Sequence, residues 1–190
     1  MIKDWKKEIF TIPNLLSLFR LVLIPVYMAV YLGAKNTGDY LTAALILAVS
    51  CLTDLVDGKI ARKFNMISTV GKVLDPLADK ATQFTLIVCL SVKYPILWTL
   101  ILLFVVKESF QLIAGVITFR RGKMLSGALL SGKICTTVLF TSLTFLILVP
   151  QIPALVVDII TIIDSSFMLI AFGGYVRTYF GHSSFVQDLE

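Results

Sequence analysis

Read for hydrophobic and polar positions alone, the chain is a series of long apolar runs, each ended by a short polar or turn-rich break. Runs of about 20 apolar residues are the length a helix needs to cross the hydrocarbon core of a bilayer. The first follows Pro13-Asn14 and covers about 14 to 33, closed by the turn chemistry of Gly33 to Asp39 (GAKNTGD). A second begins near Tyr40 and runs through LTAALILAVSCLTDLVDG. A basic connection, KIARKFNMIST, leads to Gly71 and a third run ending in LIVCLSV. The fourth opens at Pro95 and reaches about Phe119, the fifth covers about Ser131 to Val149, and after the tight return PQIP the sixth covers about 154 to 176. A polar tail follows from Arg177. In residues 1 to 12, Ile2, Trp5, Ile9 and Phe10 alternate with lysines at near-helical spacing, which predicts a short helix lying in the membrane interface.

The expected fold is therefore an all-α integral membrane protein with six transmembrane helices and a short N-terminal interfacial helix, forming one domain over residues 1–190. Composition agrees: 57% of residues are hydrophobic, 15% are charged, and the mean hydropathy is +0.90. Charged residues make up about a quarter of an ordinary soluble domain. The lysine-rich start resembles a signal peptide, but Arg20 interrupts its apolar run and no small-x-small cleavage site follows, so an uncleaved first span is expected. Cys51, Cys89 and Cys135 each lie in an apolar run without metal-like spacing, and read as free thiols.

The net charge of +5 does not point to nucleic acid, because the basic residues sit at the ends of apolar runs and form no stripe with interleaved aromatics. With six spans, most cations fall on one face of the membrane. The positive-inside rule then makes that face cytoplasmic.

Four carboxylates interrupt this pattern. Asp54 and Asp57 lie in the last turns of the second run, and Asp75 and Asp79 in the first turns of the third, so both pairs approach the same face. At about 100° per residue each pair shares one side of its helix. Such a cluster needs positive counterparts, and Lys59, Arg62, Lys72 and Lys80 or divalent metal ions are the candidates. The oxygen-only donor set suits magnesium or manganese, which commonly take further oxygens from a substrate phosphate. The alternatives are interfacial aspartates paired with nearby lysine and arginine, and a cation transporter. A transporter predicts acids near mid-membrane and often internal repeats; here the acids cluster at one face and no repeat is visible. Gly58, Ala61 and Gly71 would let a bulky ligand approach the backbone.

The string Asp54-x2-Asp57-Gly58-x2-Ala61-Arg62-x8-Gly71-x3-Asp75-x3-Asp79 resembles the signature of the CDP-alcohol phosphatidyltransferases at every fixed position. The resemblance runs from Ile12-Pro13-Asn14-Leu15-Leu16-Ser17 and Arg20, similar to the opening of phosphatidylglycerophosphate synthases and eukaryotic-type cardiolipin synthases, to about residue 140. It implies a homodimer of six-span subunits; with the positive-inside rule, the expected location is the cell (inner, cytoplasmic) membrane with the active site at the cytoplasmic face. It makes Asp54, Asp57, Asp75 and Asp79 ligands of two divalent ions, Mg2+ or Mn2+. Asp54, Gly58, Ala61, Arg62 and Gly71 would line the cytidine-diphosphate pocket, and Asp79 would be the general base. The implied reaction moves the phosphatidyl group of CDP-diacylglycerol to an acceptor hydroxyl, releasing CMP.

For the acceptor, the expected contacts are Lys133, Lys107 and Arg120. Phosphatidylglycerophosphate synthases resemble this region but carry cations where this chain has Gly115 and Cys135, and the Arg120-Arg121 pair is closer to cardiolipin synthases. Glycerol 3-phosphate is the first expectation and phosphatidylglycerol the alternative. Asp158 and Asp164 in the sixth run receive no role.

Overall fold

The computed structural model describes residues 11–63, 71–120, 123–125, 129–149, 151–180 and 186–188. The interfacial helix expected in residues 1 to 12 lies almost wholly outside them. Within the described residues the chain forms six long helices: α1 (Ile12–Gly33), α2 (Thr37–Lys63), α3 (Gly71–Lys93), α4 (Trp98–Arg120), α5 (Leu130–Leu148) and α6 (Ala154–Phe180). Four stretches are long and apolar enough to cross a membrane: Asn14–Gly33, Pro95–Arg120, Leu130–Leu148 and Ala154–Phe180. In α2 the apolar stretch is shorter, Thr37–Thr53. In α3 Lys72, Asp75, Asp79 and Lys80 fill the first half.

The helix boundaries follow from local chemistry. Pro13 sits in the first turn of α1, where its missing N–H costs nothing. Between α1 and α2 the Asp39 carboxylate accepts the backbone N–H groups of Lys35 (2.8 Å) and Asn36 (3.1 Å), and these bonds hold its carboxyl below the usual range. Tyr31 and Tyr40 then meet edge to face across the turn, with ring centroids 5.4 Å apart. Pro95–Leu97 makes a single 3-10 turn that starts α4.

Two boundaries and one pairing differ from expectation. The basic segment from Lys59 is not a connection at its start, because α2 continues through Lys63; Lys59, Ala61, Arg62 and Lys63 are good helix formers. The last helix continues past Arg177 to Phe180. A two-stranded antiparallel ribbon, β1 (Lys123–Leu125) with β2 (Val186–Asp188), joins the segment after α4 to the end of the chain, with Met124 opposite Gln187. That pairing spans over sixty residues and carries no local signal in the sequence.

The chain divides into two compact units, residues 1–89 and 90–190. In the first, α1, α2 and α3 converge around a small cavity whose polar lining is Tyr27, Ser50, Thr82 and Thr85. In the second, α4, α5 and α6 bury Leu100, Phe104, Leu139, Leu143, Leu146, Ile147, Val157 and Met168.

Exposed faces are the reverse of those of a soluble protein. On α1 the exposed side carries Leu15, Leu18, Phe19, Val22 and Val26, whereas Asn14, Ser17 and Arg20 are buried. Leu102, Val105, Val106, Leu112 and Ile113 repeat this on α4. A bilayer, not water, matches such a surface. Thr82, Thr137, Thr141, Thr144, Thr161 and Thr178 each donate to the carbonyl four residues back, satisfying the hydroxyl within its own helix. Cys51, Cys89 and Cys135 are free, as expected.

Candidate active site

Asn14, Ser17 and Arg20 recur every three residues on α1 and form one stripe, 3%, 0% and 3% exposed respectively. A buried arginine on an apolar helix needs an anionic partner, because an unpaired charge there is strongly disfavoured. Its partner is on α3. Arg20 Nη1 donates to Asp79 Oδ1 at 2.5 Å, and one turn earlier the Ser17 hydroxyl donates to Asp75 Oδ1. Two carboxylates one helical turn apart are thus each held by a donor from α1, also one turn apart.

Asp79 remains 49% exposed while Arg20 is 3% exposed. The ion pair therefore has one anchored end and one accessible end. A carboxylate in that situation is fixed in orientation yet open to a ligand. Asp75 is half-buried, and Gly71, the first residue of α3, is buried.

Asp54, Asp57, Gly58, Ala61 and Arg62 all lie on α2, so these five motif positions occupy one continuous helix. Their side chains fall outside the described residues. Among the described residues no three acidic, histidine or cysteine side chains gather at one point. The donor set at Asp75 and Asp79 nonetheless fits a hard divalent cation, being carboxylate oxygen oriented by outer hydrogen-bond donors.

Three further cations were expected to bind the acceptor, and all are in the second unit. Lys133 is exposed in the first turn of α5, and Arg120 is exposed at the end of α4. Lys107 differs: it is 5% exposed, and its ammonium lies 2.5 Å from Glu108 Oε1. It is engaged inside the bundle. Asp158 and Asp164 both belong to α6, which begins at Ala154; Asp164 is buried and accepts the Ser142 hydroxyl at 3.0 Å.

Ser17 and Arg20 were not among the expected partners of the acids, which were Lys59, Arg62, Lys72 and Lys80 or divalent metal ions; the side chains of Lys59, Arg62 and Lys72 lie outside the described residues. A usable signal was present. A polar residue every third position in an otherwise apolar run marks one helix face, and that face must meet something polar.

A family model described as CDP-alcohol phosphatidyltransferase matches residues 10–173. The chain is 39% identical over 121 residues to the cardiolipin synthase (CMP-forming) / mitochondrial hydrolase fusion protein of Schizosaccharomyces pombe, covering 63% of this chain and 19% of that one. It is 36% identical over 119 residues to the cardiolipin synthase (CMP-forming) of Streptomyces coelicolor, covering 60% and 54%. Over 82 residues it is 40% identical to the CDP-diacylglycerol–glycerol-3-phosphate 3-phosphatidyltransferase of Bacillus subtilis, covering 37% and 42%. These matches span about half the length of the bacterial relatives and less of the fusion protein.

Proposed function

This chain belongs to the CDP-alcohol phosphatidyltransferase family, and from that premise we propose that it transfers the phosphatidyl group of CDP-diacylglycerol to glycerol 3-phosphate, giving phosphatidylglycerophosphate and CMP. The observation that carries this reading is the grip of α1 on the last two acids of the motif, Ser17 on Asp75 and Arg20 on Asp79. We read residues 1–190 as one catalytic domain of six spans, acting as a homodimer with its acids at the cytoplasmic face of the cell membrane.

Asp79 is the general base in this reading. Its accessible carboxylate takes the proton of the acceptor hydroxyl, that oxygen bonds to the phosphorus bearing the diacylglycerol, and the phosphorus–oxygen bond to CMP breaks. Arg20 keeps the carboxylate pointed at the acceptor, and such positioning is part of the rate gain in a transfer of this kind. Asp54, Asp57, Asp75 and Asp79 would hold two divalent ions, Mg2+ or Mn2+. When bound, these neutralise charge on the diphosphate and its leaving group. Gly58, Ala61, Arg62 and Gly71 would line the cytidine-diphosphate pocket. Lys133 and Arg120 would contact the acceptor phosphate.

One observation favours a second reading, with phosphatidylglycerol as acceptor and cardiolipin as product. Lys107 is committed to Glu108, and Gly115 and Cys135 bring no charge, so little cationic capacity is left for a dianionic phosphate. A phosphodiester carries one negative charge and demands less.

The test is an assay of the purified chain with CDP-diacylglycerol and Mg2+, offering each acceptor separately and following CMP and the lipid product. Phosphatidylglycerophosphate from glycerol 3-phosphate supports the first reading. Cardiolipin from phosphatidylglycerol, with no product from glycerol 3-phosphate, replaces it with the second. CMP release with neither acceptor, or none in any arm, refutes both.

A further inference from the structure

The start of α5 is where Lys133 sits, and it lacks the usual means of fixing a helix end. Its N-cap is Leu129, which offers no side-chain hydrogen bond. An uncapped first turn frays unless tertiary contacts hold it.

Such contacts come from α6 and run both ways. The Tyr175 side chain lies directly on Gly132: a Cβ there would collide with the Tyr175 hydroxyl and stand 3.1 Å from ring atoms Cε2 and Cζ. Reciprocally, a Cβ at Gly174 would come within 3.0 Å of the Ser131 Oγ. Each helix thus supplies a glycine that receives a side chain of the other, at adjacent positions. Gly132 is buried and Tyr175 is 7% exposed, so the contact is interior, while Lys133 beside it is exposed.

The same turn is braced along its own axis. The Lys133 N–H donates to the Leu129 carbonyl at 3.0 Å, and the Lys133 carbonyl accepts both the Thr136 and Thr137 hydroxyls at 2.9 Å. The backbone on both sides of the Lys133 Cα is therefore held, and from α6 the Tyr175 ring packs on the same turn at Gly132. A helix residue's side-chain direction is set by its backbone.

We propose that Tyr175 is a positioning residue for the acceptor site: seated on Gly132, it fixes the first turn of α5 and thereby aims the Lys133 ammonium at the acceptor phosphate. This rests on the assignment of Lys133 to the acceptor. It gives the sixth helix, far in sequence from the motif acids, a part in acceptor binding.

Gly132→Ala, Tyr175→Phe, the double variant, Tyr175→Leu and Lys133→Ala separate the possibilities in the purified full chain. Gly132→Ala puts a methyl into the Tyr175 hydroxyl. Tyr175→Phe removes that oxygen and leaves only the 3.1 Å ring contact, which a small shift relieves. The expected result is an acceptor KM raised about tenfold or more in Gly132→Ala, with KM for CDP-diacylglycerol within about twofold of wild type, and most of the loss recovered in the double variant. Tyr175→Leu should raise acceptor KM and speed hydrogen–deuterium exchange in the peptide containing Leu129 to Thr137.

An unchanged acceptor KM in Gly132→Ala, or a double variant no better than the single, overturns the proposal. If Gly132→Ala does not fold, Tyr175→Leu carries the test: unchanged exchange, or faster exchange with an unchanged acceptor KM while Lys133→Ala raises it, overturns it equally. Faster exchange in Tyr175→Leu with a silent Lys133→Ala instead removes Lys133 from the acceptor site and leaves the interlock standing as structure.

Discussion

Arg20 on α1 and Asp79 on α3 are 59 residues apart in sequence, and their side chains meet at 2.5 Å with the arginine buried and the carboxylate half exposed. A hydrogen bond to a charged group contributes about 1.5–3 kcal/mol net. Because the pair is open on the Asp79 side, the lower part of that range applies to stability. The larger consequence is for turnover. If Asp79 is the base, as proposed, Arg20→Ala should lower kcat by about tenfold to a hundredfold with KM for CDP-diacylglycerol little changed, since the carboxylate is still present but no longer aimed. Arg20→Lys should restore part of the activity, having the charge but not the planar donor. Steady-state kinetics on the three proteins checks this, and an unimpaired Arg20→Ala enzyme would contradict it.

Ser17 does for Asp75 what Arg20 does for Asp79, with a neutral donor. Groups that orient a metal-ligating carboxylate typically matter by about 10- to 100-fold in metal affinity. If Asp75 holds a divalent ion, as proposed, Ser17→Ala is expected to need more Mg2+ for half-maximal rate while approaching the wild-type rate at saturation. A Mg2+ titration with excess chelator as the zero point reads this directly. Identical titration curves would separate Ser17 from the metal.

Much of the helical frame was legible because each boundary carries punctuation: Pro13, the Gly33–Asp39 turn, Gly71, Pro95 and the PQIP return. These act locally, and so do the rules that read them. The continuation of α2 through Lys63 was less legible, because charged residues after an apolar run signal the membrane edge and the helix end alike. The β1–β2 ribbon and the Tyr175–Gly132 contact depend on segments more than forty residues apart, where no periodicity links the partners. The acids of the candidate site stood out as charge in an apolar chain. Their partners did not, since Ser17 and Arg20 read singly are a small residue and a membrane-edge cation.

Asp164 is 1% exposed, with Oδ1 accepting from Ser142 and Oδ2 buried without a hydrogen-bond partner among the described residues. Among the described residues Ser142 is the one donor to this carboxylate, and removing it is the severe change. Ser142→Ala should lower stability by about 1–3 kcal/mol, the cost of stranding a buried polar group. Asp164→Leu removes the stranded acceptor along with the bond and should be milder than Ser142→Ala. Thermal unfolding of the detergent-solubilised protein ranks the two; the opposite order would show that Asp164 has a further partner in solution.

Asp39 offers a pH test outside the membrane spans. Its carboxyl is held low by the Lys35 and Asn36 amides, so its contribution is present above the ordinary aspartate value of about 3.9 and is lost as pH falls through the lowered one. Asp39→Asn should be less stable than wild type at neutral pH, and the two unfolding midpoints should converge on acidification. A gap that is constant with pH would assign the effect to side-chain shape.

Lys107 and Glu108 form a buried pair on one helix, with side chains 6% and 15% exposed. Forming such a pair is close to neutral, because the desolvation of both charges offsets their attraction; removing Glu108 is costly, about 3–5 kcal/mol, because the buried Lys107 ammonium loses its carboxylate. Glu108→Gln should therefore destabilise strongly, and Lys107→Met less so. The double variant Lys107→Met/Glu108→Gln should recover most of the loss, a non-additivity that distant sites do not show. The same three proteins separate structure from acceptor binding. If Lys107 serves only the bundle, the double variant regains wild-type acceptor KM along with stability. If the ammonium also reaches the acceptor, stability returns while KM stays high, and Lys107 rejoins Lys133 and Arg120 as a phosphate contact.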